Sequence, residues 1–89
     1  MIMNIILDKG DKVKIINNIG VKYIGDIIKK INEGLYQIEF FNSDYEAYVR
    51  EVVENKQIES VYVYDNKKKI EIEYKIQDNQ DYGYFIYID

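Results

Sequence analysis

The segment Lys69–Ile76 sets Ile70, Ile72, Tyr74 and Ile76 on one side and Glu71, Glu73 and Lys75 on the other. Alternation with a period of two fits an extended strand with one covered face, because successive side chains of a strand point to opposite faces. The pattern recurs along the chain. Lys12–Ile16 places Val13 and Ile15 together, and Leu35–Phe41 separates Tyr36, Ile38 and Phe40 from Leu35, Gln37, Glu39 and Phe41. Met1–Leu7, Tyr23–Ile31, Ser60–Tyr64 and Tyr82–Ile88 read as further strands. Between them, Asp8–Asp11, Asn17–Gly20, Asn32–Gly34, Asp65–Lys68 and Gln77–Asp81 read as turns, since Gly, Asn and Asp tolerate or hydrogen-bond the backbone of a tight reversal. Gly25 interrupts the long strand and predicts a bulge or a sharp bend there.

One segment follows a different period. Tyr45, Tyr48, Val49, Val52 and Val53 fall on one helical stripe. Ser43 and Glu46 fit a capping box, Glu46 and Arg50 an i, i+4 ion pair, and Asn55 a helix end. The spacing predicts a short helix near 44–55, against a rival reading of a strand at Ala47–Val49 followed by a turn. The expected fold is therefore mainly β (α+β): a strongly bent antiparallel sheet or small barrel of about seven strands with that one helix. The 89 residues make a single domain, with a barrel-like part over 8–58 and a three-stranded extension over 59–89.

The chain has no histidine, cysteine, threonine or tryptophan, but ten tyrosines. A hydrolytic triad needs a base near neutral pH, and neither Ser43 nor Ser60 has a histidine to activate it. Glu71 and Glu73 lie on one strand face about 7 Å apart, a spacing better explained by solvent-facing alternation than by a sugar-cleaving pair. Asp78, Asn79 and Asp81 form an oxygen-rich turn without the ligand series of a calcium loop, and no thiolate zinc site or phosphate-cradling glycine motif occurs. Neither catalysis nor a cofactor is expected. No stretch approaches the ~20 apolar residues of a membrane span, and no secretory leader is evident, so a cytoplasmic location is expected.

Residues 8–58 resemble a small barrel of the SH3-like or Tudor-like kind. The matching elements are Gly10-Asp11-Lys12-Val13-Lys14-Ile15, Tyr23-Ile24-Gly25-Asp26-Ile27 and Leu35-Tyr36-Gln37-Ile38-Glu39-Phe40. By that resemblance Tyr23, Phe41, Tyr45 and Tyr48 sit where an aromatic cage for a cation would lie. The helix near 44–55 and the last three strands depart from the pattern.

Net charge is −4 and concentrates in the middle of the chain, where residues 35–65 hold seven acids against two basic residues. Direct nucleic-acid binding is disfavoured, because phosphates are neutralised by a basic face; the lysines of residues 9–30 are its best candidates, and tyrosines would stack on bases. With Val61, Val63, Ile70, Ile72, Tyr74 and Ile76 in the core, the opposite face carries Tyr62, Tyr64, Glu71 and Glu73. The last strand is apolar on both sides, so Phe85 and Tyr87 either lie on an uncovered face or close the core against residues 1–7. Together with the acids Glu46, Glu51 and Glu54, these residues form the expected surface for another protein. Small acidic phage proteins that block defence nucleases, including anti-CRISPR proteins, have a similar look, which implies occlusion of a nucleic-acid-handling complex by surface contact or mimicry. A peptide-binding reader or adaptor is the alternative, and a homo-oligomer is compatible with either.

Overall fold

A computed structural model describes residues 1–79 and 83–88. Among them the chain forms nine strands, β1 (Ile2–Asn4), β2 (Lys12–Ile16), β3 (Lys22–Asn32), β4 (Leu35–Asn42), β5 (Ala47–Glu54), β6 (Ile58–Asp65), β7 (Ile70–Lys75), β8 (Gln77–Asn79) and β9 (Gly83–Tyr87), and a single 3-10 turn at Asn55–Gln57. All pairings are antiparallel. Six strands form one sheet in the order β5-β4-β3-β2-β6-β7, and three form a second in the order β1-β9-β8. The larger sheet does not close into a barrel; β5 and β7 are its edges. No helix among the described residues is long and apolar enough to cross a membrane.

Alternation sets the core. Val13 and Ile15 from β2, Ile27 from β3, Tyr36 and Ile38 from β4, Val53 from β5 and Val61 from β6 project to one side of the larger sheet and are buried. Ile86 of β9 and Leu7, which precedes β2, close over them. At roughly 1.5–3 kcal/mol per fully buried aliphatic side chain, this layer is the main stabilising term. The turns follow local chemistry: the Asn17 Oδ1 accepts the amides of Ile19 and Val21, and the Asp65 Oδ1 those of Lys67 and Lys68.

Gly25 serves close approach. Its register against Val13 is unbroken, but a Cβ there would stand 2.6 Å from Ile38 Cγ2 and 2.7 Å from the Glu39 carbonyl oxygen. The irregularities of β3 fall farther along, between Ile27 and Lys29 and between Lys30 and Asn32, where its pairing with β4 shifts register.

The helix predicted near 44–55 is a strand. From Leu35↔Glu54 to Asn42↔Ala47, β5 pairs with β4 without a break. Eight ladder positions with β-branched Val49, Val52 and Val53 outweigh a helical stripe of one short segment, for which intrinsic propensity is a weak guide. The expected capping box is absent as well: Asn42, not Ser43, organises the turn, its Oδ1 accepting the amides of Asp44 at 2.9 Å and Tyr45 at 3.3 Å. Arg50 pairs across the sheet with Glu39 at 3.0 Å rather than along a helix with Glu46. The expected turn at Gln77–Asp81 begins as β8, while Asp81 and Tyr82 lie outside the described residues. Val63 and Ile70, expected in the core, are 43% and 52% exposed.

Candidate functional site

The strand that replaces the helix changes which side chains meet solvent. In the β4–β5 hairpin, Tyr48, Arg50, Val52 and Glu54 share a face with their cross-strand partners Phe41, Glu39, Gln37 and Leu35. Phe41 and Tyr48 meet edge to face with ring centroids 5.4 Å apart. The Arg50–Glu39 ion pair follows, and Val52 lies beyond it. At the hairpin tip Glu46 adopts φ 50°, a left-handed conformation that costs an ordinary residue about 1 kcal/mol, and Tyr45 stands out from the turn. Phe41, Tyr45, Tyr48 and Val52 are 56%, 77%, 71% and 56% exposed. As an edge strand, β5 also leaves one row of amides and carbonyls without a strand partner among the described residues.

The opposite face of the hairpin is built differently. Val49, Glu51 and Val53 lie with Phe40, Ile38 and Tyr36. Tyr23 packs its ring on Phe40 at 4.2 Å between centroids, and its hydroxyl donates to Glu51 Oε2 at 2.8 Å. Burial, reinforced by the Glu51 carboxylate, pushes the Tyr23 phenol above its ordinary range, so it remains a neutral donor. A cleft of about 320 Å³ opens beside this pair, lined chiefly by Val21, Tyr23, Phe40, Phe41, Asp44 and Glu51. Of the expected cage, Tyr23 and Phe41 reach this cleft; Tyr45 and Tyr48 do not line it, and Phe40 takes a place the sequence had not suggested.

The remaining expected residues divide between two surfaces. Tyr62 pairs with Glu73 and Tyr64 with Glu71 on the outer face of β6 and β7. Lysines of β2 tie down both acids there: Lys12 reaches Glu71 at 3.1 Å and Lys14 reaches Glu73 at 2.8 Å, while the Lys12 ammonium sits 5.7 Å from the Tyr62 ring centre. Hydrogen bonds from Lys14 and then Ser60 hold the Glu73 carboxyl below its ordinary range. This face is thus a self-satisfied ion-pair layer in which Tyr62 is half-buried and Tyr64 exposed. Phe85 and Tyr87 sit on β9 in the other sheet, edge to face at 5.6 Å, with Tyr87 exposed. Their neighbour Ile86 and the Tyr62 neighbour Val61 belong to one core, so the two aromatic faces look away from each other.

The expected acidic array is also dispersed. Glu46 is exposed at the hairpin tip, Glu51 holds Tyr23, and Glu54 pairs with Lys56 at 3.2 Å and takes part in closing the 3-10 turn. Exposed Val52 and Phe41 were not foreseen as a unit. The available signal was two apolar-rich runs, Leu35–Phe41 and Ala47–Val53, on either side of a short polar turn, which is the spelling of a hairpin. Comparison with protein families, with curated proteins and with solved structures finds no match.

Proposed function

We propose that the chain is a non-enzymatic protein-binding module whose partner docks on the outer face and open edge of β5. The observation that carries this reading is the joint exposure of Phe41, Tyr45, Tyr48 and Val52 on an edge strand. Edges are ordinarily shortened, charged or covered, since an open one recruits another strand. Here the edge is eight residues long and carries two rings and a valine on one face and beside its turn. A partner strand added to β5 would satisfy the free amides and carbonyls, and its side chains would cover the rings. Tyrosine suits such a surface because it buries a large ring at low entropy cost and keeps a polar tip. Asp44 and Glu46 lie in the turn beside the rings, which favours a partner with a basic rim, the chemistry of a nucleic-acid-handling complex.

The test is a photo-cross-linkable side chain placed at position 48 and, as control, at position 64, in protein produced in its native host. A discrete adduct of one mass at 48 and none at 64 supports the reading. Equal or absent labelling defeats it, and an adduct of twice the chain's own mass assigns the edge to self-association.

The cleft beside Tyr23 supports a second reading, that of a reader of cationic side chains. Three aromatic rings and the carboxylates of Asp44 and Glu51 line one small recess, a combination that attracts an alkylated ammonium group. Titration with a trimethyl-lysine peptide against its unmodified form separates the two readings.

A further inference from the structure

The lysines of residues 9–30 divide into two sets. Lys12, Lys14 and Lys22 are engaged by Glu71, Glu73 and Glu59 of the same chain at 3.1, 2.8 and 2.9 Å. Lys9, Lys29 and Lys30 instead converge on a cleft of about 630 Å³, which Arg50 enters from β5 and which Asp8, Ile28 and Gln37 complete.

Lys29 and Lys30 both line the cleft from β3, opposite Gln37 and Tyr36 of β4, in the short regular stretch between the two register shifts of that pairing. The loop before β2 is fastened to the same place, since Gly10 donates to the Ile27 carbonyl at 2.8 Å and Ile27 donates to the Asp11 carbonyl at 2.9 Å. That fastening brings Lys9 to the cleft mouth. Lys30 is held by Glu33 at 2.9 Å and Arg50 by Glu39 through its Nε at 3.0 Å. Lys9 and Lys29 have no carboxylate within ion-pair distance among the described residues. The Asp8 carboxylate inside the cleft already accepts the Lys9 amide at 2.7 Å.

We infer that this cleft binds a small phosphate-bearing anion. Lys9 and Lys29 bring to one recess two ammonium groups without a carboxylate partner among the described residues, Lys30 and Arg50 add charges shared with Glu33 and Glu39, and an anion in the recess would complete the pairing. Lysine supplies point charges, and the guanidinium supplies planar donors suited to phosphate oxygens. A nucleic-acid strand fits less well, because its backbone needs a basic track, and β5 beyond Arg50 carries Glu51 and Glu54 in a chain of net charge −4. Free phosphates and the phosphate tail of a nucleotide share the recognised chemistry.

The experiment is a titration of the whole chain with pyrophosphate, and in parallel with ATP, followed by amide NMR. Saturable shifts at Lys9, Ile28, Lys29, Lys30 and Gln37 are expected. Joint Lys9→Gln and Lys29→Gln substitution should weaken binding by about tenfold or more, while Lys12→Gln leaves it unchanged. Tighter ATP than pyrophosphate binding places the source among nucleotides; the reverse places it among free phosphates. Shifts that never saturate, affinity indifferent to the Lys9 and Lys29 changes, or tighter binding of a DNA or RNA oligomer through the same residues would overturn the assignment. Because Lys9 and Lys29 are exposed, the melting temperature of the double variant serves as a check that the fold is intact.

Discussion

The Tyr23 hydroxyl donates a 2.8 Å hydrogen bond to the Glu51 carboxylate, joining two residues 28 positions apart. With the ring of Tyr23 on Phe40, it fastens the edge strand β5 to β3 across β4. Glu51 was expected to face a partner; its carboxylate instead positions a ring of the chain itself. Tyr23→Phe should cost about 1–2 kcal/mol in chemical denaturation, the range for a hydrogen bond to a charged acceptor that remains partly solvated. In a double-mutant cycle with Glu51→Gln the two losses should be less than additive; strict additivity would show that the bond contributes nothing.

The same contact sets an alkaline limit. The phenol of Tyr23 is raised above its ordinary value, first by burial and then by Glu51. Its contribution to stability is therefore complete below the ordinary tyrosine range and is lost as pH climbs above it. Tyr23→Phe should remove a late-ionising component from the tyrosinate absorbance of an alkaline titration; an unchanged titration curve would show that the Glu51 contact does not hold the phenol neutral.

Glu73 sets the corresponding acid limit. Its carboxyl lies below the ordinary range because Lys14 and Ser60 hydrogen-bond the charged form. Stability from this group is present above the ordinary glutamate pKa and is lost as pH falls through the lowered folded value. Glu73→Gln should thus be less stable than the parent at neutral pH, and the two curves should merge in acid. A gap that persisted at low pH would mean that the carboxylate charge is not the cause.

Gly25 tolerates no side chain. A Cβ would meet a backbone oxygen at 2.7 Å, which cannot rotate away. Gly25→Ala should destabilise by about 1–3 kcal/mol, the usual cost of overpacking, by thermal or urea unfolding. No change would mean that β4 can shift away from β3 at little cost.

Tyr36 and Tyr48 separate core from surface. Tyr36 is 1% exposed and Tyr48 71%. Tyr36→Ala should cost about 3–5 kcal/mol, while Tyr48→Ala should stay within about 0.5 kcal/mol. If Tyr48→Ala also unfolded the chain, the rings of the hairpin would be structural and the docking reading would fall.

The sequence by itself determined the strands that alternate and the turns between them. Lys12–Ile16 and Leu35–Phe41 carry their covered face in their own spelling, Lys69–Ile76 spells a strand but not how well its apolar side is covered, and Gly10, Gly20 and Gly34 sit at positive φ in three of the expected turns. Tertiary structure decided the rest. Residues 47–54 contain a helical stripe and a passable strand, and only the ladder offered by β4 chooses between them, because the pairing energy comes from residues far outside the local window. That choice turned Tyr48 and Val52 from members of an expected helical stripe into exposed residues of an edge strand. The gathering of Lys9, Lys29, Lys30 and Arg50 likewise depends on a strand order and a loop fastening that local pattern does not encode. Period and turn chemistry act over a few neighbours, whereas register and sheet order are set by contacts between distant segments, and in this chain the surfaces proposed for binding are of the second kind.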